Sequence, residues 1–175
     1  MRIKCILGPA VALVLTLSAG GLNAQSAEHM PVAATGACGD IDFLAGRWDV
    51  HGADGTLDAT AHVSLGKARC YATELLRFGK AAGGGEGFCF LAYSSQKHDW
   101  SQTCSLGNGD RYRFVDGRLE GNEMRFAGED VGKGVTQIFS LYRLPDNSVR
   151  EVFKESADGG KTWKTLVEEY WSKKK

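Results

Sequence analysis

Two β-rich runs near the middle of the chain flank a short polar segment and together predict a β-hairpin. The runs cover residues 87–93 and 100–106, and residues 94–99 supply the turn. With the turn centred between residues 96 and 97, three pairs stand opposite one another: Tyr93 and Trp100, Leu91 and Gln102, and Cys89 and Cys104. Because side chains alternate between the two faces of a strand, the three pairs share one face. We interpret that face as the inside of a β-barrel.

After residue 45 the chain is almost a continuous succession of short strands. The predicted strands cover residues 46–52, 57–65, 68–78, 87–94, 100–106, 111–115, 119–127, 135–144, 149–156 and 162–171. Turn residues mark the breaks, among them Asp116-Gly117 between the sixth and seventh strands. Ten strands with short connections predict an all-β fold, an antiparallel up-and-down β-barrel whose closure removes edge strands. Residues 41–45 are expected to form one helical turn that plugs an end.

The first 24 residues have the pattern of a secretory signal peptide. Arg2 and Lys4 precede an apolar run at residues 5–17, and small residues lead to a cleavage point after Ala24. The run is shorter than the ~20 apolar residues that a transmembrane helix needs. We therefore favour a signal peptide over a membrane anchor or a buried helix. The mature chain is then periplasmic or secreted, with residues 25–36 as a flexible leader and residues 37–175 as the barrel domain.

Charge provides no reason to expect nucleic acid or an anionic membrane as a partner. Cleavage after Ala24 removes two of the 21 basic residues and none of the 21 acidic ones, which leaves 19 basic residues and a formal charge of −2. The one basic cluster in the sequence is Lys173-Lys174-Lys175 at its end. About 150 residues remain, enough for one domain with a single core.

Four cysteines follow the signal peptide, and an even number in an exported chain favours two disulfides. The hairpin register favours a bridge from Cys89 to Cys104, which leaves Cys38 to pair with Cys70. A metal site is the alternative explanation. No Cys-x-x-Cys pair or cysteine and histidine cluster has ligand spacing, so no metal is predicted.

Several short motifs follow one another in order along the barrel domain. They are Ala37-Cys38, residues 42–50, Cys70 with Glu74, Gly87 with Tyr93, Trp100-Ser101-Gln102, Gly121, Met124, Val149-Arg150, residues 156–163 and Tyr170. In this order and spacing they resemble an uncharacterised family of exported bacterial lipocalin-like domains, which belong to the calycin-type barrels near the nitrobindin-like ones. The resemblance implies a lipocalin-like barrel and an exported protein, and it implies no settled activity.

Three departures from that family pattern are informative. The family usually has Ser at the position of Cys89 and Trp at the position of Cys104, and the two cysteines here agree with a bridge between them. Glu151 stands where the family tends to have Gln. Nitrobindin-like barrels bind haem through a histidine near the C-terminus, whereas the last histidine of this chain is His98. No cofactor is therefore predicted.

The candidate ligand-binding site consists of residues on the predicted inner face. They are Glu74, Leu91, Tyr93, Trp100, Gln102 and Glu151. Glu74 alternates in step with apolar neighbours, so a core-facing strand would carry its carboxyl group inside. A buried carboxyl group must be paired, hydrogen-bonded or neutral.

Two explanations of an inward Glu74 stay open at this stage. Its carboxylate pairs with Arg69, Arg111 or Arg113 and merely satisfies the barrel wall, or it shares a cavity with Glu151. Two carboxyl groups in one cavity raise the pKa of one of them, an arrangement suited to general acid/base chemistry.

The sequence supports three functional hypotheses. The favoured one is a barrel that binds a small, mostly apolar or amphipathic ligand through a few polar anchors. The alternative is a small cofactor-free enzyme, an isomerase, cyclase or lyase, with Glu74 or Glu151 as the base. The third is a structural barrel without a ligand.

Overall fold

The computed structural model describes residues 37–129 and 134–174, so the predicted signal peptide and leader lie outside the described residues. Two short 3₁₀ helices span Asp42–Leu44 and Lys80–Ala82. The strands are β1 (Gly46–Gly52), β2 (Leu57–Leu65), β3 (Tyr71–Phe78), β4 (Glu86–Ser94), β5 (Asp99–Leu106), β6 (Arg111–Glu120), β7 (Glu123–Gly128), β8 (Thr136–Arg143), β9 (Val149–Ser156) and β10 (Lys164–Lys173).

Each strand pairs antiparallel with its neighbour in the chain, and β1 pairs with β10 to close the barrel. The predicted all-β, up-and-down barrel of ten strands is therefore confirmed. Closure leaves none of the ten described strands with an exposed edge, which removes the usual template for aggregation. Within the two described ranges, no helix has the length and apolar character needed to cross a membrane.

The hairpin of β4 and β5 has the predicted register. Cys89 stands opposite Cys104, Leu91 opposite Gln102, and Tyr93 opposite Trp100. All except Tyr93 are buried inside the barrel. Alternation around a four-residue turn thus suffices to place this face correctly.

The predicted turn at Asp116-Gly117 is wrong. These residues lie inside β6, at an irregularity where the pairing with β5 and with β7 skips residues. Asp116 has a positive φ of 54°, and the actual turn follows at Gly121 and Asn122. An Asp-Gly pair suits a β-bulge as well as a turn, since both need residues that tolerate the left-handed region.

The third strand also begins later than predicted. β3 starts at Tyr71, because residues 66–69 form a turn in which the Arg69 N–H donates to the Gly66 carbonyl at 2.8 Å. Arg69 has a φ of 59°, a conformation that interrupts a strand.

One end of the barrel is plugged by the first 3₁₀ helix, as predicted for residues 41–45. Ile41 and Leu44 are buried in the core, and the Trp48 indole N–H donates to the Leu44 carbonyl oxygen at 2.7 Å. The Trp48 ring packs edge-on against Trp171, with 6.1 Å between ring centroids. We call the end where β1 begins the plugged end, and the opposite end the cavity end.

Both predicted disulfides are confirmed. Cys38 is bonded to Cys70, which ties the segment before the plug to the turn between β2 and β3. Cys89 is bonded to Cys104 across the β4–β5 pair. Each disulfide stabilises the fold chiefly by restricting the conformations of the unfolded chain.

The segment from Ser156 to Trp163 is a structural turn at the cavity end. The Asp158 carboxylate accepts hydrogen bonds from the backbone N–H groups of Lys161 and Thr162, at 3.0 and 2.9 Å. The Thr162 hydroxyl donates to it at 2.6 Å. These bonds hold the pKa of Asp158 well below its usual range, chiefly through Thr162, because each favours the charged form.

The irregular stretch of β6 makes a testable prediction about Gly117. A side chain there would overlap the Phe126 ring and come within 2.8 Å of the Trp100 carbonyl oxygen. Gly117→Ala should therefore lower the free energy of unfolding by about 1–3 kcal/mol, the usual cost of overpacking. Urea denaturation measures this cost. The cost of Gly117→Ala should be smaller in a Phe126→Leu background, because the smaller side chain makes room for the methyl group. An equal cost in both backgrounds would contradict the contact between Gly117 and Phe126.

Candidate functional site

A cavity of about 270 Å³ occupies the cavity end of the barrel. Its wall is mostly apolar and includes three phenylalanine rings, Phe114, Phe139 and Phe153, which pack against one another. The remaining lining residues are Ala59, Glu74, Leu76, Phe78, Cys89, Gln102, Cys104, Leu106, Tyr112, Glu151, Leu166, Val167 and Glu169. A small apolar chamber with a few polar groups is the usual form of a small-molecule site.

The carboxyl and amide groups of the wall come from four strands, and strand alternation turns each of them inward. Glu74 lies on β3, Gln102 on β5, Glu151 on β9 and Glu169 on β10. Glu151 and Glu169 stand directly opposite each other across the β9–β10 pair. Residues so paired have Cβ atoms about 5 Å apart and point to the same side. Two carboxyl groups are thus forced into proximity by the register.

Glu74 is the most deeply buried of the three carboxyl groups, with 5% of its surface exposed. Burial raises the pKa of Glu74 from its usual 4.5 to about 7, and the negative charge of Glu169 adds to the rise. Both causes act in the same direction because each disfavours the ionised form. Glu74 therefore holds a proton at a pH where an exposed glutamate would have lost it.

Glu151 and Glu169 are half-buried, and their pKa values are raised like that of Glu74. Burial raises the pKa of Glu169 to about 7, helped by repulsion from Asp58. Burial also raises the pKa of Glu151, followed by repulsion from Glu169 and Glu74. The Trp171 indole N–H lies close enough to oppose this rise for Glu151, although it does not reach hydrogen-bond geometry.

The ion-pair explanation for Glu74 is not supported. Arg69 pairs with Asp42 at 2.9 Å, and Arg113 pairs with Glu129 at 2.9 Å, so two of the three candidate arginines are engaged elsewhere. Within the described ranges, Glu74 takes part in none of the ion pairs and none of the residues lining the cavity is Lys, Arg or His. The carboxyl groups share the cavity without a cation.

Gln102 supplies an amide to the same wall and is almost fully buried, with 3% of its surface exposed. Its Nε2 donates to the Cys104 sulfur at 3.5 Å, while its Oε1 has no hydrogen-bond partner within the described structure. A disulfide sulfur carries no hydrogen, so it can only accept. The bridge therefore favours the amide orientation in which Nε2 faces sulfur and Oε1 is left as a free acceptor.

The structure divides the predicted site residues into two groups. Glu74, Gln102 and Glu151 line the cavity. Leu91 and Trp100 are buried in the core beyond it, and the Tyr93 ring packs on Trp100 with 5.5 Å between centroids. None of these three belongs to the described cavity wall, and a ligand-contact role for them stays a prediction.

Glu169 is the residue that sequence reasoning missed. The predicted strand over 162–171 contained it, and the alternation Val167, Glu169, Trp171 would have placed it inward beside Glu151. The structure also brings the Asp58 carboxylate near Glu169, whose pKa it helps to raise. The β1–β2 pairing is irregular between Val50 and His51, and it skips Asp58. There Asp58 lies over Gly52, where an added Cβ would come within 2.5 Å of the carboxylate.

Among the described residues, neither the histidines nor the acidic groups cluster as metal ligands would. The β1–β2 register places His62 opposite Arg47 and His51 opposite Leu57, so the two histidines do not face each other. Across residues 37–129 and 134–174, no group of three His, Cys, Asp or Glu side chains converges as metal ligands would. The glutamates share a cavity but do not converge on one point.

Comparison with known proteins adds no family assignment. No family model matches the chain, and no curated protein matches it significantly. Function is therefore inferred from the cavity and its residues.

The raised pKa of Glu74 predicts how stability depends on pH. The folded state keeps a proton that the unfolded chain releases, so the free energy of unfolding should fall as pH rises from about 4.5 through about 7. Glu74→Gln, which cannot ionise, should make this fall smaller by about 3 kcal/mol, while Glu151 and Glu169, whose pKa values are also raised, keep their share of it. Urea denaturation across this range measures it.

Glu120→Gln is the matched control, because Glu120 is exposed on β6 and away from the cavity wall. It should keep the wild-type pH profile. Parallel profiles for wild type and Glu74→Gln would show that Glu74 is not the group that holds the proton.

Proposed function

We propose that this protein is an exported, lipocalin-like barrel that holds a small, mostly apolar or amphipathic ligand in its cavity. The observation that carries the proposal is the division of the interior. The plugged end is packed with large side chains such as Trp48 and Trp100, while the cavity end leaves about 270 Å³ unfilled. Protein interiors otherwise pack like organic crystals, so an unfilled chamber of this size has the character of a binding site.

The composition of the wall supports an apolar ligand. Three phenylalanines that pack against one another and several aliphatic residues form most of it, and such surfaces gain roughly 25 cal/mol for each Å² removed from water. The polar groups gather as a small set on β3, β5, β9 and β10. This arrangement would bind a ligand by its apolar body and orient it by one polar end.

A catalytic role has less support. The raised pKa of Glu74 would suit a general acid or base. A reaction would also need groups that stabilise the charge developing on the substrate. Among the described polar groups of the wall, Gln102 is the one amide, and its donor is already directed at Cys104.

Export is the second part of the proposal. It is supported by the signal-peptide pattern before Gln25 and by two disulfides, which are consistent with an oxidising compartment. N-terminal sequencing of protein purified from its native host should find Gln25, or a residue near it, as the first. An intact Met1 on the folded, disulfide-bonded protein would contradict export by this route.

A neutral apolar dye tests the binding function directly. N-phenyl-1-naphthylamine, whose fluorescence rises in apolar surroundings, should bind with a stoichiometry of one. Leu106→Trp, which extends into the cavity from β5, should weaken binding by about tenfold or more by filling the space. Fluorescence titration measures both.

The control is Ser105→Trp, one residue away. Ser105 is exposed and points outward, since its neighbours Cys104 and Leu106 line the cavity. It should leave dye affinity within about threefold of wild type. Equal losses in the two variants, or no saturable binding to wild type, would overturn the proposed function.

A further inference from the structure

We propose that the ligand is an amphipathic primary amine, whose ammonium group lies among Glu74, Glu151 and Glu169 and whose apolar body lies against the phenylalanine wall. This inference rests on the proposed binding function and names the chemical class of the ligand. Two independent observations carry it: an uncompensated cluster of carboxyl groups inside the cavity, and a buried amide oxygen without a hydrogen-bond partner.

The first observation concerns charge. Three carboxyl groups enter one chamber, and the described lining offers no Lys, Arg or His to neutralise them. Desolvating a carboxylate without a partner is costly, and a native protein normally answers the cost with a proton, an ion pair or hydrogen bonds. A ligand cation would take the place of the missing partner. The same carboxyl groups would repel an anionic ligand.

The second observation concerns hydrogen-bond donors. The Gln102 Oε1 is buried and unpartnered within the described structure, and Nε2 of the same amide is directed at the Cys104 sulfur. Above about pH 7, Glu74 and Glu169 lose their protons, and ionised carboxyl groups accept hydrogen bonds and donate none. The polar part of the cavity is therefore rich in acceptors, and its ligand must bring the donors. A primary ammonium brings three donors and a positive charge on one atom.

The shape and the apolar wall of the cavity favour an organic cation over a bare metal ion as the ligand. The carboxyl groups line a chamber without converging as ligands to a single ion in the described residues. Most of the chamber wall is apolar and aromatic, which a hydrated metal ion would leave unused. An alkyl or aryl chain attached to the ammonium buries that surface, and the rings add a favourable contact for a nearby cation.

Calorimetric titration with four ligands of equal chain length tests the inference. Octylammonium, octanol, octanoate and octyltrimethylammonium share one apolar tail and differ in charge and in hydrogen-bond donors. At about pH 8, octylammonium should bind at least tenfold more tightly than octanol, and octanoate more weakly than octanol. Octyltrimethylammonium should bind more weakly than octylammonium, because it has the charge but no N–H to donate to Gln102.

Variants then test which residues produce the preference. Glu74→Gln and Glu169→Gln should each lower octylammonium affinity about tenfold or more and leave octanol affinity within about threefold. Gln102→Leu should reduce the advantage of octylammonium over octyltrimethylammonium by about threefold or more, since the carboxylates still accept the remaining N–H bonds. Glu120→Gln, on the exposed part of β6, should change none of these affinities.

The outcomes separate this inference from the function on which it rests. If octanol binds as tightly as octylammonium while the neutral dye still binds, the amine inference is overturned and the binding barrel stands. Equal binding of octylammonium and octyltrimethylammonium would also overturn it, because the donor requirement would be absent. If neither the neutral dye nor any octyl ligand binds, the proposed function itself falls.

Discussion

The pairing of β1 with β10 is the constraint on which the rest of the structure depends. It joins the first strand to the last through registered pairs such as Val50 with Trp171 and leaves the sheet without an edge. Once the sheet is closed, strand alternation assigns each residue to one interior or to solvent. Groups distant in sequence, such as Glu74 and Glu169, are thereby placed in one enclosed volume.

The interior so created is used in two ways. Toward the plugged end, Trp48, Trp171 and the first 3₁₀ helix fill it with close packing. Toward the cavity end, the side chains leave a chamber of about 270 Å³ unfilled, and its wall carries the glutamates. Burial without a cation disfavours their charged forms. Burial without a counter-charge raises the free energy of the ionised glutamates in the free protein. The same uncompensated charge suits these groups to a cationic ligand.

Much of this was accessible from sequence because it follows from short-range patterns. Alternation and one turn fixed the β4–β5 register, which gave both the Cys89–Cys104 bridge and the inward position of Gln102. The Asp116-Gly117 bulge was mistaken for a turn because both use the same residues. The pairing of Glu169 with Glu151 depends on the β9–β10 register. The unfilled chamber depends on side-chain volumes summed over many strands.

The ionisation of Glu74 itself shows most directly whether the cavity holds carboxyl groups without a counter-charge. Carbon-13 NMR of selectively labelled glutamate, assigned with Glu74→Gln, follows the carboxyl group through a pH titration. We expect a pKa of about 7, raised by burial and by the charge of Glu169, and a fall in that pKa when octylammonium is added. A pKa at the usual 4.5, unchanged by the amine, would contradict this expectation.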